Sequence, residues 1–149
     1  MKIHLEQEVS AFSHLYKEVE DVYHEIALSV GVSDGAFDVL YVLCVLGDGC
    51  LQRDICRETF VSKQTVNSSV RSLEKKGFLY LEKEGRDKHI YLTESGKRFA
   101  DERIRPVIEA ENEVFLAMKP DEKAEFLRLF RKLADGYQER KKPLLEKLR

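Results

Sequence analysis

Between Ser62 and Leu92 the chain reads SKQTVNSSVRSLEKKGFLYLEKEGRDKHIYL. With Val66, Val70 and Leu73 on the apolar face of a helix, a step of about 100° per residue turns Gln64, Asn67, Ser68, Arg71 and Lys75 to the other side. A merely solvated face fills with Glu and Lys, which favour helix. Amides, hydroxyls and one Arg are a less usual set. They are the side chains that pair with base edges: amides with adenine, Arg with guanine, hydroxyls with either. Ser62 is placed to cap this helix and to leave N–H groups at its start for a phosphate, with Lys63 and Thr65 beside them. Alone, the segment also reads as an ordinary polar surface helix.

The residues that follow tip the balance. Gly77 stops the helix. Leu79 and Leu81 then alternate with Phe78 and Tyr80, and Ile90 and Leu92 alternate with His89 and Tyr91, which predicts a β-hairpin. Its turn, Glu84-Gly85-Arg86-Asp87, exposes Arg86, with Lys88 and His89 just beyond. An arginine at such a tip suits the narrow, negative minor groove or a phosphate. A polar helix beside a cationic hairpin is a nucleic-acid chemistry, and other elements must hold the two together.

Those elements can be read from periodicity. Phe12, Tyr16, Val19, Tyr23 and Ile26, broadened by Leu15 and Val22, predict a first helix over about Val9–Ser29, stopped at Gly31. Ser33 is a candidate N-cap, with Val32 and Phe37 spaced as a hydrophobic staple. The second helix, about Asp34–Leu46, is apolar on most sides through Ala36, Phe37, Leu40, Leu43 and Cys44, and is expected at the centre of the core. Gly47-Asp48-Gly49 is a turn. A short helix over Gln52–Glu58, the link Thr59-Phe60-Val61 and the Ser62 cap give helix-turn-helix dimensions. Thr93 can cap a long helix to about Ala117, with a kink expected at Pro106. Pro120, Asp121 and Glu122 open a last helix whose stripe is Phe126, Phe130, Leu133 and Tyr137, and which Pro143 ends or bends.

A chain of 149 residues, 43% hydrophobic and 35% charged, is a helix-rich globular protein of one domain or one domain with helical extensions. No apolar run approaches the ~18 residues of a membrane span. The acidic start, Ile3-His4-Leu5-Glu6, lacks a signal-peptide core, and three cysteines fit a reducing compartment, so the expectation is a cytoplasmic protein. Net charge is −2, but residues 1–49 carry −7, residues 50–98 carry +4 and residues 99–149 carry +1. The positive charge therefore surrounds the candidate reading helix.

The order helix, turn, SKQTVNSSVRSLEKKGFL, hairpin and IYLTESG resembles the MarR family of winged helix-turn-helix transcriptional regulators, over roughly Ser33 to Arg98. The flanking helices match by length and pattern. The resemblance implies a mainly α (α+β) fold: an N-terminal dimerisation helix at 1–32, a winged helix-turn-helix domain at 33–98 and C-terminal dimerisation helices at 99–149. It implies a homodimer on a palindromic double-stranded DNA operator, commonly with a small-molecule effector. Carried onto this chain, Ser62 to Arg71 form the recognition segment and Arg86 is the wing arginine. The expected DNA-binding set is Arg53, Ser62, Lys63, Gln64, Thr65, Asn67, Ser68, Arg71, Lys75, Arg86, Lys88 and His89. The family's frequent wing sequence Asp-x-Arg is here Glu84-Gly85-Arg86. At the entry to the preceding helix, Leu51-Gln52-Arg53 keeps a Gln and adds a cation.

Other chemistry is thinly supported. There is no glycine-rich phosphate loop and no nucleophile with a base and an orienter, so no enzyme or cofactor is expected. Redox-sensing members of the family carry a reactive Cys near the start of the first helix, where this chain has none. Of Cys44, Cys50 and Cys56, only Cys56 has neighbouring arginines, Arg53 and Arg57. His4, His14 and His24 are spread around a helix, and Glu109 and Glu113 stand where zinc-responsive relatives carry His pairs, so no metal site is expected. Tyr16, Tyr23, Phe37 and Tyr41 have the apolar bodies and polar tips to line an effector pocket, or equally a core or dimer interface. The alternative functional reading is a winged-helix protein-interaction module without specific DNA binding.

Overall fold

Helix α1 (Gln7–Val30) and helix α2 (Asp34–Leu46) meet at 88° across a break at Gly31. The break has a local cause. Gly31 sits at φ 85, its N–H returns to the Ala27 and Leu28 carbonyls, and the Val32 N–H returns to Ala27, which closes the helix end. Ser33 then caps α2 by accepting from the Ala36 N–H, and the staple residues Val32 and Phe37 are both buried. The computed structural model describes residues 3–59 and 61–149, so Phe60 in the expected link lies outside the described residues.

Helix α2 is the centre of the core. Gly35, Ala36, Phe37, Val39, Leu40, Val42 and Leu43 are all buried, as a helix that is apolar nearly all round must be. Cys44 departs from the expectation: it is exposed, because the buried arc of α2 stops one position short of it.

Strand β1 (Cys50–Leu51), helix α3 (Gln52–Glu58) and helix α4 (Lys63–Lys75) follow. The hairpin is β2 (Leu79–Glu84) and β3 (Asp87–Leu92), and the antiparallel sheet has the order β1-β3-β2. The register is the one alternation demands. Leu79 pairs with Leu92 and Leu81 with Ile90 on the core side, while the Tyr80 and Tyr91 rings stack 5.3 Å apart on the other. Strand β1 was not visible in the sequence: two residues carry no period, and their partners, Ile90 and His89, lie about 40 positions away.

The predicted single helix after Thr93 is three pieces: α5 (Glu94–Phe99), a π-helical segment (Ala100–Ile104) and α6 (Arg105–Ala117). Pro106 has no N–H to donate to Glu102, and the ladder loosens one residue upstream, where the Arg105 N–H bonds back to Ala100. Helix α7 (Pro120–Lys147) starts at Pro120, with Glu122 accepting from the Lys119 N–H. It continues through Pro143, contrary to a stop there. That last turn is exposed, so water can take the carbonyl that the proline leaves unbonded. No single described helix is long and apolar enough to cross a membrane.

The chain divides into two compact units, Met1–Ile108 and Glu109–Arg149. Within the first, Phe78 stacks on Phe99 at 4.4 Å. Within the second, Phe126 meets Phe115 edge-on at 6.3 Å and Phe130 at 5.8 Å.

One junction locks the hairpin to α4 and α5. The Thr93 and Ser95 hydroxyls both donate to the Gly77 carbonyl, and the Thr93 oxygen caps α5 by accepting from the Gly96 N–H. Gly96 lies so close to the backbone of Phe78 that an added Cβ would stand 1.8 Å from the Phe78 carbonyl oxygen. Gly96→Ala should therefore cost about 3 kcal/mol, the upper end for overpacking, and lower the melting temperature by roughly 6–12 °C. Thermal unfolding followed by circular dichroism measures this, and a shift under about 2 °C would show that the junction yields.

Candidate nucleic-acid interface

The burial of α4 fixes which way its polar side faces. Val66 and Leu73 are fully buried, Val70 is nearly so, and Ser69 joins them against α2. The two helices touch at Gly35: a Cβ there would come within 2.7 Å of the Ser69 hydroxyl and 2.8 Å of the Thr65 methyl. Gln64, Ser68, Arg71 and Lys75 are consequently exposed along the outer face.

At the start of α4 the Ser62 hydroxyl oxygen accepts from the Thr65 N–H at 3.1 Å and lies 2.9 Å from the Thr65 hydroxyl, while the Ser62 carbonyl accepts from the Val66 N–H. The N–H groups of Lys63 and Gln64 precede the first intrahelical donor, the Val66 N–H, and point out of the positive end of the helix. Thr65 is turned inward, its hydroxyl on Ser62 and its methyl toward Gly35. The Ser68 hydroxyl donates to the Thr65 carbonyl at 2.9 Å, which leaves its oxygen to accept. Asn67 is half-buried, and its side-chain oxygen accepts from the Gln52 amide, so what it offers outward is its N–H donors.

The wing turn is two residues, Gly85 and Arg86, between the paired Glu84 and Asp87. Gly85 has φ 59 and Arg86 does not share the positive sign, the pattern of a type II′ hairpin turn. Arg86 and Lys88 are exposed. His89 is not presented with them. It is half-buried on the other side of β3, its Nδ1–H donating to the Gly49 carbonyl at 2.9 Å and its Nε2 3.7 Å from a Glu84 oxygen. Arg53 lies 2.9 Å from the Asp87 carboxylate.

A groove of about 360 Å³ joins the first turn of α3, the start of α4 and the wing. Arg53, Lys63, Asn67, Arg86 and Lys88 line it, with Leu51, Gln52, Cys56 and Asp87. Four cations face one carboxylate there, in a chain whose net charge is −2. The structure thus gathers five of the twelve expected residues into one groove and sets Ser62, Gln64, Ser68 and Arg71 on the adjoining helix face, with Lys75 at its far end. Gln52, noted in the sequence only as a helix-entry residue, and Asp87, noted only as a turn residue, also belong to this site, each through a partner distant in sequence.

Apart from Cys56 in the groove lining and His89 on the wing, the cysteines and the described histidines lie outside this groove. Cys44 is exposed at its surface, yet the protein around its thiol partly desolvates it and raises it above its ordinary value, and the Asp101 charge adds to that against the opposing Arg105. Cys50 is raised by burial and then by Asp54. Both shifts disfavour the reactive thiolate. Cys56 is half-buried against the core, and its neighbour Arg57 pairs with Asp54 and Glu58. His14 bonds the Ser10 carbonyl, and His24 bonds Asp34. Among the described residues no three His, Cys, Asp or Glu side chains converge as metal ligands. The four aromatics offered for a pocket, a core or an interface differ in burial: Phe37 is core, Tyr41 packs against it half-buried, and Tyr16 and Tyr23 are exposed on α1.

Residues 30–88 match the model of the MarR family. The chain is 28% identical over 135 residues to the uncharacterized HTH-type transcriptional regulator YwaE of Bacillus subtilis strain 168, covering 86% of this chain and 78% of that protein. It superposes on MepR of S. aureus, solved as a DNA complex, with a TM-score of 0.67 at 20% identity over 89% of this chain and 98% of that one. PcaV of Streptomyces coelicolor, solved with its natural ligand, gives a TM-score of 0.65 at 25% identity, again over 89% and 98%. The residues that match the MarR family model hold α4 and the wing as far as Lys88, and the fold of the chain is that of these solved winged helix-turn-helix proteins.

Proposed function

We propose that this chain is a MarR-family transcriptional regulator, a cytoplasmic homodimer that binds an inverted-repeat operator sequence-specifically, acts as a repressor and is released by a small-molecule effector. The observation that carries the DNA-binding reading is the cationic groove shared by α4 and the wing, next to an exposed face of Gln64, Ser68 and Arg71. In this reading α4 enters the major groove. Gln64, Asn67 and Arg71 read base edges, and Ser62, Lys63, Ser68 and Lys75 hold the adjoining backbone. Arg86 and Lys88 take the minor groove and its phosphates. MepR, solved on DNA, supports the docking mode, and PcaV, solved with a natural ligand, supports the effector.

The homodimer rests on unpartnered apolar surface. Leu15, Tyr16, Val19 and Val22 on α1, and Phe126, Phe130 and Tyr137 on α7, are all exposed, more large hydrophobic surface than an isolated domain ordinarily shows water. A two-fold dimer would place its two reading helices about one DNA turn, ~34 Å, apart, which is why the operator should be a palindrome. An effector that changed that separation would shift the population away from the DNA-competent spacing.

The deciding experiment is selection of duplexes from a randomised pool, followed by affinity measurements. Arg71→Ala and Gln64→Ala should each erase discrimination at one base position, worth about 1–3 kcal/mol, while leaving the rest of the site intact. Arg86→Ala should weaken all duplexes alike and reduce the slope of log affinity against log salt by about 1. A protein-interaction module would enrich no palindrome and show no such slope. Light scattering of the full chain should give twice 17.3 kDa, and Val19→Glu should shift it toward the monomer. A monomeric parent at micromolar concentration would remove the basis for the palindrome.

A further inference from the structure

Gln52 and Arg53 are neighbours in the first turn of α3, and each holds a different part of the proposed DNA surface. The Gln52 amide donates to the Asn67 side-chain oxygen on α4. Arg53 donates through Nη1 to the Asp87 carboxylate, 2.9 Å away at the base of the wing turn. Their partners lie 15 and 34 positions along the chain, so these bonds tie together elements that the backbone connects only through long detours.

The wing tip needs such a tie. Residues 82–86 are exposed, so burial does not fix them, and pairing between β2 and β3 sets the hairpin's internal register but not its direction. A duplex fixes two things at once, the depth of α4 in the major groove and the reach of Arg86 into the neighbouring minor groove. A tip that wanders must be ordered on binding, and that ordering weakens affinity.

We propose that Arg53 is a positioning residue that acts through Asp87, holding the wing tip at the offset from α4 that one duplex requires, while the Gln52–Asn67 bond seats the same turn of α3 on the reading helix. This rests on the DNA-binding reading above and assigns Arg53 a partner within the protein ahead of a phosphate. Charge alone makes the opposite prediction for Asp87: its carboxylate stands among four groove cations, and removing it would draw DNA phosphates closer.

The test takes the full-length protein and the tightest duplex recovered from the randomised pool, alongside amide hydrogen exchange of the free protein. Asp87→Asn and Arg53→Gln should each speed exchange at residues 84–88 and weaken binding about two- to fivefold, the range of an exposed ion pair. The double variant should lose no more than the larger single loss, since both substitutions break one interaction. Tighter binding by Asp87→Asn, additive losses, or unchanged exchange at the tip would overturn the proposal. A parent protein that enriches no duplex would sink the DNA-binding reading instead, and exchange at the tip would still decide whether Arg53 and Asp87 hold the wing.

Discussion

The rest of this molecule depends on the burial of one short apolar stripe, Val66, Val70 and Leu73, against α2. A helix of 13 residues with so many poor helix formers has little stability of its own and takes its order from packing. Burying that stripe turns the polar arc outward without further instruction. The contact at Gly35 sets how deep α4 sits, since the space a side chain would need holds Ser69 and Thr65. The polar residues are therefore free to be chosen for what they bind.

The wing follows a different logic. Its sheet is anchored at the base, where Leu79 and Ile90 are buried and β1 adds a third strand to β3. Towards the tip the anchoring changes from apolar burial to polar bonds at the edges. Asp48 accepts from the Leu92 N–H still at the base, His89 bonds Gly49 farther out, and Arg53 bonds Asp87 at the tip. Exposed polar ties of this kind are individually weak, which suits the proposed role of the wing, meeting a deformable duplex while keeping its place beside α4.

Much of the fold was legible because the governing signals are local. Ser33, Ser62 and Thr93 each accept from the N–H three residues on, as capping spacing predicts. Asp34–Leu46 matches the expected span because the Ser33 cap and Gly47 bound it, and Gln52–Glu58 matches as well. Three features were not legible. The π-helical segment is the backbone's adjustment upstream of Pro106, which a sequence marks only as an interruption. Strand β1 is too short to show a period. The exposure of Cys44 depends on how far along α2 the core extends.

The sequence by itself determined the kind of chemistry: a helix with amides, hydroxyls and arginine opposite an apolar stripe, then a cationic hairpin turn, in the most positive third of a chain that is net negative. Periodicity and capping act within a few residues, so they are written directly in the residue order. Only the tertiary structure decided how that chemistry is shared out. It faced Thr65 inward, tied His89 to the Gly49 carbonyl, left Asn67 its donors by binding its oxygen to Gln52, and gathered Arg53, Lys63, Arg86 and Lys88 around one groove. Those outcomes depend on contacts between residues up to 40 positions apart, and such contacts exist only once the core has fixed where each element lies.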